Sequence, residues 1–115
     1  MKVYGIPNCN TVKKSLDWLK QHKVEIEFHD FKKLGVTAAQ LKKWIALVGW
    51  EALVNKKGTT WRMLDTETQA SITSEKKAIA LMIEKTSIIK RPLITLNDKV
   101  ILLGFEETEY KKALK

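Results

Sequence analysis

Residues 1–30 read MKVYGIPNCNTVKKSLDWLKQHKVEIEFHD, and the periodicity changes twice within that stretch. Val3, Tyr4, Gly5 and Ile6 make a short apolar strand, and the Pro7-Asn8 pair after it reads as a turn. From about Thr11 onward, Val12, Leu16 and Leu19 recur at helical spacing with Lys13, Lys14, Asp17 and Lys20 on the polar side, until Gln21-His22-Lys23 ends the helix. Glu25, Ile26, Glu27, Phe28 and His29 then alternate polar and apolar, the pattern of a half-buried strand. Strand, helix and strand within about 28 residues is the size of a βαβ unit.

Beyond this unit the signals turn helical. Thr37 and Gln40 have the spacing of a capping box ahead of the apolar face Leu41, Trp44, Ile45 and Val48, which stops at Gly49. A second short helix is expected from Trp50 to about Asn55, a loop from Asn55 through Trp61 around Gly58, and a weakly signalled helix over Glu67 to Ile72. Ser74 can cap a helix carrying Ala78, Ile79, Leu81, Met82 and Ile83, and Thr86 to Lys90 breaks it. Two apolar runs, Leu93 to Leu96 and Val100 to Leu103, flank Asn97-Asp98-Lys99 as a hairpin does, and a last helix is expected from about Glu106 to Leu114. A βαβ half joined through helices to a ββα half is the order of the thioredoxin fold. The expectation is therefore an α/β class chain, one thioredoxin-like domain over 1–115 with an all-helical insertion at about 36–72.

Composition bounds the function. The chain of 115 residues holds one cysteine, so no internal disulfide is possible and nothing argues for an oxidising compartment. The stretch Met1 to Pro7 has too short an apolar run for a signal peptide, and no window approaches a membrane span, so the expected location is cytoplasmic, as a monomer away from membranes. The net charge of +8 is carried by basic pairs spread evenly, from Lys13-Lys14 to Lys111-Lys112, many at the polar positions of amphipathic helices. That spacing describes a solvated face rather than a specific nucleic-acid surface. Small anionic substrates suit it equally well.

Cys9 stands where the first strand gives way to the first helix. A free cysteine in a small protein is commonly a buried hydrophobe, but the neighbours of Cys9 are polar. At a helix N-terminus the unpaired N–H groups and the helix dipole favour thiolate over thiol, and Asn10 and Thr11 add side-chain donors. Only Arg62 and Arg91 among the 21 basic residues are arginines, whose planar fork suits carboxylates and oxyanions. Arg91 precedes Pro92, and in the thioredoxin order that proline lies opposite the N-terminus of the first helix. His22, at the far end of the first helix, and His29 fit no zinc spacing with Cys9, so no metal is expected. Trp18, Trp44, Trp50 and Trp61 read as packing residues, and Asp65 and Glu67 as a carboxylate pair without acid–base partners.

Five blocks then carry a resemblance: residues 4–14, YGIPNCNTVKK; residues 28–32, FHDFK; residues 55–62, NKKGTTWR; residues 88–93, IIKRPL; and residues 103–105, LGF. In these the chain resembles the arsenate reductase and Spx family, and within it the YffB-like branch. The resemblance implies Cys9 as nucleophile, with Asn10, Thr11, Arg62, Arg91 and a cis Pro92 around a bound substrate. Arsenate reductases of this kind place three arginines about the cysteine; Arg62 and Arg91 match two, and the third falls near Gly104. Spx-type members bind RNA polymerase and switch through a Cys-x-x-Cys pair, whose second position is Val12 here. The YffB-like branch implies a glutathione-dependent thiol reductase, with glutathione as co-substrate and no bound cofactor. Glutaredoxin and RNA polymerase are further possible partners of the family.

Overall fold

In the computed structural model, which describes residues 1–114, β1 (Lys2–Gly5) is the strand on which the sheet is built. It pairs in parallel with β2 (Glu27–Asp30), Val3 opposite Phe28, after the connecting helix α1 (Asn10–Gln21). On its other edge β1 pairs antiparallel with β3 (Leu93–Leu96), and β3 pairs antiparallel with β4 (Lys99–Leu103), giving the order β2-β1-β3-β4. The β3–β4 turn is the two residues Asn97 and Asp98, with φ of 53° and 64°, which matches the twist of the strands it joins. A single turn α2 (Phe31–Leu34) follows β2, and α8 (Glu107–Ala113) closes the chain.

These elements belong to one compact unit, residues 1–34 with 91–114 of the described chain. Register puts Val3, Phe28, Ile94 and Leu102 on one sheet face, where they pack with Trp18 and Leu19 of α1 and Tyr110 of α8. Each such side chain, fully buried, stabilises by about 1.5–3 kcal/mol. Within the same core the Tyr110 hydroxyl donates to the Gly104 carbonyl at 2.8 Å and lies 2.7 Å from Ser15 Oγ of α1. On the opposite face Tyr4 lies against His29 and Phe31, with ring centroids 4.8 and 5.9 Å away.

The second unit, residues 35–90, is helical. It holds α3 (Ala38–Val48), α4 (Trp50–Leu53), α5 (Thr59–Arg62), α6 (Thr66–Ser71), α7 (Glu75–Glu84) and a 3₁₀ turn at Thr86–Ile88. The capping box is present: Gln40 N–H donates to Thr37 Oγ1 and Thr37 N–H to Gln40 Oε1, each at 3.1 Å. Leu41, Trp44 and Ile45 of α3 are buried, as are Ala78, Ile79, Leu81 and Met82 of α7, and α7 packs on α3 and α4. That packing carries the helical unit past residue 72, where the sequence reading ends the insertion. The loop expected through Trp61 is cut short as well, because Gly58 opens α5 one turn earlier. Asp65 caps α6, accepting from Thr68 N–H at 2.6 Å, and the two hydrogen bonds from Thr68 hold its carboxyl below the ordinary range. Asp65 thus serves as a helix cap.

Candidate functional site

Gly5 brings β1 into close contact with α1. A Cβ there would sit 2.9 Å from Val12 Cγ2, a fully buried atom, so only glycine lets the strand approach the helix start this closely. The chain then turns through exposed Pro7 and Asn8 and enters α1 with Cys9 as N-cap residue, at φ −102° and ψ 126°. The Cys9 carbonyl accepts the first helical bond, from Lys13 N–H at 2.9 Å. Cys9 therefore holds the position that serine, threonine or aspartate usually takes, whose side chain meets the N–H groups two and three residues on.

Those N–H groups belong to Thr11 and Val12. No capping bond of ordinary geometry forms from the Cys9 side chain, yet both groups act on the sulfur electrostatically. Partial burial, the largest single effect, pushes the thiol up; the Val12 N–H, the hydrogen bond and charge of Arg91, and the Thr11 N–H together outweigh it. The net result is a Cys9 thiol held below its ordinary range, so it ionises more readily than a free cysteine.

Arg91 reaches this place from the other half of the unit. The Arg91-Pro92 bond is cis, Pro92 is buried at the head of β3, and its carbonyl accepts Gly104 N–H at 2.8 Å. Gly104 has φ 83°, a left-handed backbone that a residue with a side chain would adopt only under strain. An arginine at Gly104 is thus disfavoured by the backbone itself. The structure brings together Cys9, the Thr11 and Val12 backbone and Arg91, with Pro92 attached and the exposed Asn10 and Thr11 side chains beside them. Arg62 ends α5 in the helical unit, exposed to solvent.

Two contributors escape a reading by residue type. Val12 acts through its main chain, and Gly5 through its lack of a side chain. Counting three residues on from the N-cap would have found the first. Of the histidines, His22 caps the far end of α1, donating from Nδ1 to the Trp18 carbonyl at 2.8 Å, and His29 lies in β2 against Tyr4.

The family model described as "ArsC family" matches residues 4–113. The chain belongs to the ArsC family. It is 43% identical over 111 residues to an uncharacterized protein of Haemophilus influenzae, covering 96% of each chain. It is 28% identical to the regulatory protein MgsR of Bacillus subtilis, over 97% of this chain and 88% of the other. The solved structure of the YFFB protein superposes with a TM-score of 0.91 at 41% identity, covering 99% of this chain and 98% of that one. Family membership agrees with the thioredoxin-like α/β fold, arsenate reductase-like, and the family also includes Spx-type regulators. Among the described residues no helix is long and apolar enough to cross a membrane.

Proposed function

We propose that this chain is a glutathione-dependent thiol reductase acting through Cys9. What supports the reading most is the thiolate bias at Cys9, produced by two helix N–H groups and the Arg91 guanidinium. The Cys9 thiolate attacks the glutathione sulfur of a mixed disulfide, R–S–S–G. A bond forms between Cys9 Sγ and that sulfur, the original S–S bond breaks, and R–S⁻ leaves to take a proton from water. The chain holds one cysteine, so a second glutathione thiolate must resolve the intermediate, releasing oxidised glutathione and the Cys9 thiolate. In this proposal Arg91, with Asn10 and Thr11 nearby and Arg62 as a further candidate, binds glutathione carboxylates.

The test is a mass spectrum after incubation with oxidised glutathione, followed by turnover of a glutathione mixed disulfide. One adduct on Cys9, with turnover lost in Cys9→Ser, is expected; no adduct and no turnover would sink the reading. The likeness to MgsR favours a second one, a regulator that docks on RNA polymerase as the Spx resemblance implies. Polymerase capture that survives Cys9→Ser, without turnover, would decide for it. Turnover of arsenate with glutathione and glutaredoxin would instead mark an arsenate reductase.

A further inference from the structure

Ser15 of α1 and Tyr110 of α8 are buried polar side chains with no part in the chemistry proposed at Cys9. A hydroxyl inside an apolar core is unfavourable unless it is bonded, and alanine and phenylalanine would fill these two places without that cost. What the hydroxyls bond is therefore what explains them.

The bonds lead back to the site. The Tyr110 hydroxyl donates to the Gly104 carbonyl at 2.8 Å, with Ser15 Oγ 2.7 Å from the same phenol oxygen. Gly104 N–H donates in turn to the Pro92 carbonyl at 2.8 Å. The residue before Pro92 is Arg91, whose side chain hydrogen-bonds the Cys9 sulfur.

These contacts lie just past the last registered pair of the hairpin, Leu93 with Leu103, where the sheet ladder no longer holds the chain. Proline has no N–H, so its carbonyl is the single main-chain group through which Pro92 can be hydrogen-bonded. Gly104 takes that group and has no side chain with which to anchor itself. Its own carbonyl is held by Tyr110, so the phenol fixes the residue that fixes Pro92. The rings packed on the phenol, Trp18 and Phe105, do not titrate, and burial raises the hydroxyl above its ordinary 10.0. It therefore keeps its proton throughout the range in which Cys9 ionises.

We propose that Tyr110 is a positioning residue for Cys9: through Gly104 and Pro92 its hydroxyl holds Arg91 at the sulfur, and Ser15 holds the hydroxyl. This rests on the reading of Cys9 as the reacting thiol, but the readout needs no glutathione. The test is iodoacetamide alkylation of the intact chain against pH, for the parent, Tyr110→Phe, Arg91→Met and the double variant, with near-UV circular dichroism checking native packing. Tyr110→Phe is expected to move the midpoint up by about 0.3 pH unit, a twofold fall in the ionisation constant, and by less than Arg91→Met does. In the Arg91→Met background the same change is expected to add nothing, because the hydroxyl acts on the sulfur only through Arg91. Ser15→Ala, which keeps the bond to Gly104, is expected to give a smaller upward shift that also vanishes without Arg91, and it carries the test if Tyr110→Phe loses native packing. A native variant that titrates as the parent does, or a shift that persists in full in the Arg91→Met background, overturns the proposal. A chain that shows this coupling yet takes no adduct from oxidised glutathione loses the reductase reading and keeps this one.

Discussion

Tyr110→Phe tests the buried network that ties α8, α1 and the end of β4 together. The Tyr110 hydroxyl donates to the Gly104 carbonyl at 2.8 Å, so its 2.7 Å contact with Ser15 must have Ser15 as donor, because a hydroxyl has a single proton. Both side chains are essentially inaccessible to water, at 0% and 1% exposure. Removing the phenol oxygen leaves the Gly104 carbonyl with no donor from Tyr110 and Ser15 with no acceptor there. A buried polar group stranded in this way costs about 1–3 kcal/mol, but Ser15 can turn back to a carbonyl of its own helix, so most of the loss falls on Gly104. The expected destabilisation is about 2–3 kcal/mol for Tyr110→Phe and about 1 kcal/mol for Ser15→Ala, which keeps the bond to Gly104. The double variant should cost less than the sum by about 1 kcal/mol, since the second change strands nothing new. Urea unfolding followed by tryptophan fluorescence reads this out, Trp18 lying 5.4 Å from the Tyr110 ring. A Tyr110→Phe chain within about 0.5 kcal/mol of the parent, or strict additivity in the cycle, would refute the reasoning.

Three further outcomes are expected. Burial raises the Tyr110 pKa more than the Ser15 bond lowers it, so stability from this group is complete below 10.0, the ordinary value, and is lost as pH rises through the higher folded value; Tyr110→Phe should lose less stability on that limb in alkaline denaturation. Gly5→Ala forces a methyl to 2.9 Å from a buried valine branch that has no room to swing, costing about 1–3 kcal/mol in chemical denaturation; a chain as stable as the parent would count against the close approach. Arg91→Met removes a hydrogen bond and a charge that favour the Cys9 thiolate, leaving the upward push of burial less opposed, so iodoacetamide alkylation against pH should shift to higher pH, with Arg91→Lys between the two; identical profiles would dismiss Arg91 from the site.

The elements that follow from period and capping chemistry were legible in the sequence because their causes are local. The α1 face, the Thr37–Gln40 box, the Ser74 cap and the Asn97-Asp98 turn each rest on residues within one or two turns of chain. Where packing over distance decides, the sequence was mute. The extent of the helical unit depends on α7 meeting α3, and the burial of Ser15 depends on a tyrosine 95 positions away. The four-residue α4 was expected from Trp50 onward, but α2 and α5, equally short, were missed because four residues carry no period. Both α2 and α5 announce themselves only through what precedes them, Asp30 accepting from Lys32 N–H at 2.9 Å and Gly58 at the N-cap. The site divides along the same line: Cys9 and its helix start could be read from local residues, whereas Arg91 opposite Cys9 was expected only through the thioredoxin order and the family resemblance, because it depends on β3 lying beside β1.

That pairing explains how a chain with one cysteine can bias its thiol without a partner thiol. Burial alone would push the Cys9 thiol up, and the helix start supplies two N–H groups against it, neither in an ordinary capping bond. Arg91 adds both a hydrogen bond and a charge. Its position is secured from the far side of the core: Pro92 accepts from Gly104, Gly104 accepts from Tyr110, and Tyr110 accepts from Ser15, one turn and a half along the helix that Cys9 begins. The loop of hydrogen bonds closes on α1 itself, so the helix that presents the sulfur also anchors the strand end that presents the guanidinium. Gly104 is a costly place for an arginine because of its φ of 83°, while its two bonds to Pro92 and Tyr110, made by main-chain atoms, do not depend on the side chain. A cation there would carry the strain of a left-handed backbone, whereas Arg91 is held beside Cys9 by a bond network that asks nothing of a side chain at 104.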